Sequence, residues 1–207
     1  MIFDSDSPAN NASARAAWLT ALNSGPTQGT VTQIDFESGF SDGQSIGQFS
    51  FPSGMRLRAD GMGSATVRAT SNPTLLGGAD PVGSLSGSFT GRSSGLIFDF
   101  SSLSVNGLGF VSMGHTGGSV DVFYTDGTSE RFNIDAAGSS GQSEEFYGIW
   151  ANDKPGIERV RIGVNSAGDS LDGGRGFDNI QYDTIPEPAG LAAVATGGLA
   201  LVRRRRR

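Results

Sequence analysis

The 207-residue chain has no cysteine. That absence excludes a disulfide framework, a thiol nucleophile and cysteine-ligated zinc. Histidine occurs once, at His115, so the usual histidine-rich zinc centres are excluded as well. Charged residues make up 17% of the chain and lysine is rare, against the roughly 25% charged residues of an average domain. The charge that is present is acidic, with a net value of −6. Five of the 15 basic residues form the terminal run Arg203, Arg204, Arg205, Arg206 and Arg207. Without them ten basic residues face 21 acidic ones, a balance of −11. Nucleic-acid binding needs a basic footprint, so no nucleic-acid partner is expected. A divalent cation or a neutral polymer suits such a domain better. Long hydrophobic runs are missing too. The longest charge-free apolar stretch, Ala189–Val202, has 14 residues. As a helix it is ~21 Å long, short of the ~30 Å hydrocarbon core of a bilayer.

Glycine is abundant, at 32 residues, about twice average usage. Residues 1–183 are enough for one domain with a proper core. Ala14, Ala17, Trp18, Ala21 and Leu22 repeat at helical spacing and predict an N-terminal helix. Ser7 with Pro8, or Ser13, can begin it, and Asn23-Ser24-Gly25-Pro26 ends it. Trp18 reads as the anchor that docks this helix on a sheet. After Pro26 the period becomes two. Met55, Leu57 and Ala59 alternate with arginines, as do Val160, Ile162 and Val164. Leu96, Phe98 and Phe100 share a face. Val120, Val122 and Tyr124 lead through an Asp126-Gly127 turn to Phe132 and Ile134, a hairpin. Phe177–Tyr182 is the last run. Roughly ten short strands separated by Gly/Ser/Asn/Asp clusters predict an all-β fold, an antiparallel β-sandwich of jelly-roll type. A single C-terminal hydrophobic helix is expected within 184–207.

The tail has three parts in order: Pro186, Glu187 and Pro188; the apolar residues Ala189, Leu191, Val194, Leu199, Leu201 and Val202 within their run; and the five arginines. The prolines stop strand and helix alike. Snorkelling arginines and local thinning can help the short helix reach across a bilayer, with the arginine cluster on the cytoplasmic side. Residues Ile185–Arg207 resemble the PEP-CTERM sorting signal of Gram-negative bacteria, also known as the ice-binding protein C-terminal motif. The resemblance implies an exported protein handled by an exosortase. Such a protein is anchored in the inner membrane before processing, then released to the cell surface or the extracellular matrix, in association with exopolysaccharide. Export needs a basic then apolar N-terminal signal. Met1–Asp6 has neither, so the signal is expected upstream of Met1.

The body also resembles the globular part of many PEP-CTERM proteins, through Ala14–Leu22, Ile34-Asp35-Phe36-Glu37, Leu96–Phe100 and Gly176–Ile180. This implies a module similar to galactose-binding-like and carbohydrate-binding jelly rolls. In such modules an acid near the first strand and one on the last often hold one structural Ca²⁺, and the matching positions are Glu37, with Asp35 as substitute, and Asp178. Asp178 shares strand parity with the apolar Ile180 and Tyr182, and a carboxylate in a core needs a hydrogen bond, a cation or a metal. It can equally cap the Gly-rich turn Gly173–Gly176 or pair with Arg175 or Arg161. Gly43-Gln44-Ser45-Ile46-Gly47 matches a nucleophile elbow in spacing, but the elbow belongs between strand and helix of a parallel sheet. Nothing sets Glu144, Glu145 or another acid pair at glycosidase spacing, and the chain is expected not to be an enzyme. Phe146, Tyr147 and Trp150 lie in one strand. Tyr147 and Trp150 are the candidate sugar-stacking rings, with burial in the core as the alternative for each.

Overall fold

The computed structural model describes residues 1–5, 10–25, 29–34, 44–45, 48–59, 64–68, 84–88, 96–113, 116–136, 144–163 and 175–185. Glu37, Asp35, His115 and the whole tail from Pro186 lie outside these residues, and so do the expected sorting motif, membrane anchor and basic stop. Among the described residues no helix is long and apolar enough to cross a membrane.

The elements in chain order are β1 (Ile2–Asp4), α1 (Asn11–Ser24), β2 (Thr30–Ile34), β3 (Gln48–Ser50), β4 (Arg56–Ala59), β5 (Ser64–Arg68), β6 (Ser84–Ser88) and β7 (Leu96–Asp99). They continue with β8 (Val105–Met113), β9 (Thr116–Tyr124), β10 (Ser129–Ala136), β11 (Glu144–Trp150), β12 (Ile157–Gly163) and β13 (Arg175–Thr184). All pairings among the described strands are antiparallel.

The strands form two layers. Sheet I runs β3-β4-β7-β12-β9-β10. Sheet II runs β1-β11-β8-β13, and β13 continues to β2 along its C-terminal half and to β6-β5 along its N-terminal end. Among the described residues one bridge, Ile157 to Val105, joins the layers. Period-two alternation sends Leu57, Leu96, Phe98, Val120, Val122, Tyr124, Val160 and Ile162 inward from sheet I. Leu108, Phe110, Tyr147, Ile149, Ile180 and Tyr182 meet them from sheet II, all within one buried cluster. Phe98 stacks on Phe110 at 5.9 Å, and Phe100 meets Tyr182 at 5.4 Å. The expected β-sandwich is thus present, with thirteen strands among the described residues. The last strand runs to Thr184, one residue past the expected boundary at 183, and the Ile185 N–H donates to the Ser104 carbonyl.

The helix α1 closes the outer face of sheet II, as the Trp18 stripe implied. It starts earlier than Ala14, after Asn10, and Ser13 sits inside it with its hydroxyl donating back to the Asn10 carbonyl at 2.9 Å. Trp18 and Leu22 are buried with Phe146 in a second cluster. The Trp18 indole N–H donates to the Ile149 carbonyl at 2.9 Å. The indole can lie this low because the sheet beneath it is glycine. A Cβ on Gly148 would stand 2.7 Å from the Trp18 ring, and one on Gly109 3.0 Å.

Candidate functional site

With α1 on one side of the sandwich, the outer face of sheet I is the side left open to solvent among the described elements. Inward apolar residues there alternate with outward polar ones, and the register sets the outward residues in two transverse rows. One row reads Ser50, Arg56, Asp99, Arg159, Phe123, Ser129. The next reads Gln48, Arg58, Ile97, Arg161, Asp121, Arg131. Between them lies a groove of about 300 Å³ lined by Ile97, Phe123, Arg159 and Arg161. These four come from three neighbouring strands, so the groove crosses strands rather than following one.

The side chains are held in place. The Arg159 guanidinium carbon stands 4.1 Å from the centre of the Phe123 ring, close enough for a cation–π contact. Arg131 donates to both oxygens of Asp121, at 2.6 and 2.9 Å, the two-pronged geometry that fixes a guanidinium best. Arg161 approaches Asp121 from the other side at 3.7 Å. Arg58 pairs with Asp99 at 2.8 Å and remains 43% exposed. Burial alone raises the Asp99 pKa, but the Ser101 backbone and hydroxyl, then Arg58 and Arg56, outweigh it and hold the carboxyl below its usual range. A general acid for glycoside cleavage needs the opposite shift.

Tyr147 is not a sugar platform. It is fully buried inside the sandwich, and its hydroxyl donates to Glu145 at 2.6 Å. Tyr147 points inward because strand parity sets it opposite Phe146, which faces α1. Trp150 is half-buried against the Trp18 cluster, close to Gly25 at the end of α1. The two rings lie on opposite sides of sheet II and do not form one surface.

Asp178 does not keep the parity that put it with Ile180 and Tyr182. A bulge lies between Asp178 and Gln181, and Asn179 there has φ 49°. The extra residue shifts the alternation by one. Asp178 pairs with Val111, in the same row as Gly109 and Gly107, while Tyr182 pairs with Leu108. Its register position is therefore that of the helix-covered face, and Glu37, its expected calcium partner, is outside the described residues. Among the described residues no three His, Cys, Asp or Glu side chains are grouped to hold a metal ion. Ser45 is followed by strand β3, not by the helix of a nucleophile elbow.

No protein-family model and no curated protein matches the chain. Among solved structures it is similar to the enzymatically active domain of tailspike protein 4 of bacteriophage CBA120. That match has 21% identity and a TM-score of 0.39, and covers 72% of this chain and 22% of that one. A Clostridium thermocellum endo-1,4-β-D-xylanase structure, with CBM22-1 and GH10 modules and xylohexaose, matches at 10% identity and TM-score 0.41, covering 77% and 29%. The family 11 carbohydrate-binding module of a Clostridium thermocellum cellulosomal cellulase matches at 11% identity and TM-score 0.40, covering 77% and 97%. The chain thus spans less than a third of the first two.

Proposed function

We propose that the sandwich is a non-enzymatic carbohydrate-binding module, and that sheet I is its binding face. The observation that carries this reading is the groove across β7, β12 and β9, open to solvent and floored by Ile97 and Phe123. A groove running across strands suits a linear polymer. Its arginines are directional donors for sugar hydroxyls, while the carboxylates Asp99 and Asp121 are engaged in ion pairs. In migration through native gels that contain soluble polysaccharides, the protein is expected to be retarded by at least one of them. Phe123→Ala removes a groove wall and the support under Arg159. It should cost about tenfold in affinity, the scale of one well-placed contact, while the protein stays folded. Unchanged retardation of the variant would move the site elsewhere.

The tail supports the setting of this activity. On its Pro186-Glu187-Pro188 resemblance the protein is an exported exosortase substrate, held by its apolar C-terminal segment in the inner membrane and then delivered to the surface or the polysaccharide matrix. In a host with exosortase, and with a signal peptide supplied, replacing the triplet by alanines should leave export intact and block processing. Equal processing of both forms would reduce the triplet to a linker.

A further inference from the structure

The chain as a whole is acidic, yet the open face of sheet I is not. Its two central rows hold five arginines, Arg56, Arg58, Arg131, Arg159 and Arg161, against two carboxylates, Asp99 and Asp121. The other acids near the rows are at their margins or turned from them: Glu158 is in the bulge that precedes Arg159, Asp135 lies toward the far end of β10, and Glu130, between Ser129 and Arg131, is taken up by the Tyr124 hydroxyl and Lys154. Against a net −6 for the whole chain, this face carries a local excess of positive charge that suits a ligand of opposite sign.

The arrangement of the arginines is more specific than their number. Arg58, Arg161 and Arg131 belong to one row, on β4, β12 and β10, with one strand between successive members. Strands lie ~4.8 Å apart, so these positions recur at ~9.6 Å, the scale of a disaccharide. Arg159 stands beside them at the groove, ordered by the Phe123 ring and with no carboxylate partner among the described residues. The same contact covers Phe123, which is therefore not a bare ring for stacking on a neutral sugar. A pre-ordered guanidinium beside an apolar floor is suited to a carboxylate carried on a sugar ring.

We propose that this face selects an acidic linear polysaccharide, of the polyuronate class, laid across the strands of sheet I with its carboxylates on the arginine rows. The proposal rests on the carbohydrate-binding reading above and names its ligand class. Asp99 and Asp121 orient Arg58 and Arg131, leaving their remaining N–H groups for the polymer. Arg159 makes the contact that neither acid competes for.

The test measures binding of the full chain by titration calorimetry to polygalacturonate and to alginate. The comparison ligands are the fully methyl-esterified form of the first, neutral xylan, and single-stranded polyadenylate. Polyuronate is expected to bind and its methyl ester to bind at least about tenfold more weakly, with affinity falling as salt is added. Arg159→Gln should lose about tenfold, the effect of one charge-assisted hydrogen bond, with its thermal transition retained. Arg56→Gln, an exposed position in the row of Arg159, is the second variant if the first does not fold, and it too should weaken polyuronate binding. Lys154→Gln, which removes a positive charge away from the groove, should change nothing. Equal binding of the ester, or binding of neutral xylan alone, would overturn acid selection and leave the carbohydrate reading standing. Binding of no glycan would remove both. Polyadenylate bound as tightly as polyuronate would also overturn the proposal, since the face would then be an unselective polyanion surface.

Discussion

Trp18→Ala is expected to destabilise the protein by about 3–5 kcal/mol, the usual cost of truncating a fully buried tryptophan to alanine. For a chain of this size that is a fall of roughly 10 °C in melting temperature. The indole is 0% exposed, and it is the residue through which α1 sits on sheet II. Its loss leaves a cavity over Gly109 and Gly148 and takes a donor from the Ile149 carbonyl. Gly148→Ala tests the same seat from below, because its new methyl group would stand 2.7 Å from the indole ring. In the wild-type background Gly148→Ala should be costly. In the Trp18→Ala background it should cost far less, because the clash is gone. Thermal denaturation of the two single variants and the double variant gives the coupling directly. Additive losses, or a Trp18→Ala variant that melts with the wild type, would show that the helix is not part of the cooperative unit.

The same residues show what was legible in the sequence. The helical stripe around Trp18 and the alternation in Met55–Ala59, Leu96–Phe100 and Val160–Val164 are local patterns, and they indicated a sandwich with a docked helix. The hairpin at Asp126-Gly127 was legible because Gly127 takes φ 82° and the Asp126 carboxylate accepts from the Thr128 N–H at 2.9 Å. The central strand β8 was harder to see, since on its helix-covered side glycine stands at Gly107 and Gly109, where a strand buried on both faces would otherwise show apolar side chains. Glycine weakens a strand signal, yet here the glycines are what allows Leu22 and Trp18 to approach. Asp178 misled for a related reason. Parity is a local rule, and one bulged residue reverses it. The candidate site was the least legible. Arg58, Arg161 and Arg131 are scattered in the chain and meet only through the order β4-β7-β12-β9-β10, so each reads alone as the solvated side of a strand. Total charge, which pointed toward a divalent cation or a neutral polymer, averages over faces that differ in sign.

Asp183→Asn is expected to stabilise the protein at neutral pH, an unusual sign for a buried substitution. Asp183 is 1% exposed, and neither carboxylate oxygen has a hydrogen-bond partner among the described residues. It lies on β13 between Val31 of β2 and Gly107 of β8, and Leu22 of α1 packs over Gly107. Its carboxylate occupies the space that a side chain on Gly29 would need. The nearby cation on this face, Arg15 of α1, donates to Gln181 at 3.0 Å instead. Burial without a partner pushes the Asp183 pKa above its ordinary value. The sign follows from proton counting. Between the unfolded value, about 3.9, and the raised folded value, the native state binds more protons than the unfolded one, so stability falls as pH rises through that window. Above the folded value the loss is complete and constant. Asparagine keeps the shape and cannot ionise, so it does not incur this loss. The variant should therefore melt above the wild type at pH 7. Its advantage should shrink on acidification and vanish near pH 4. Asp99, whose pKa is lowered, weakens both proteins in acid and cancels in the difference. Melting curves of the pair from pH 4 to pH 8 measure that difference, and an offset that does not change with pH would show that Asp183 is not the titrating group.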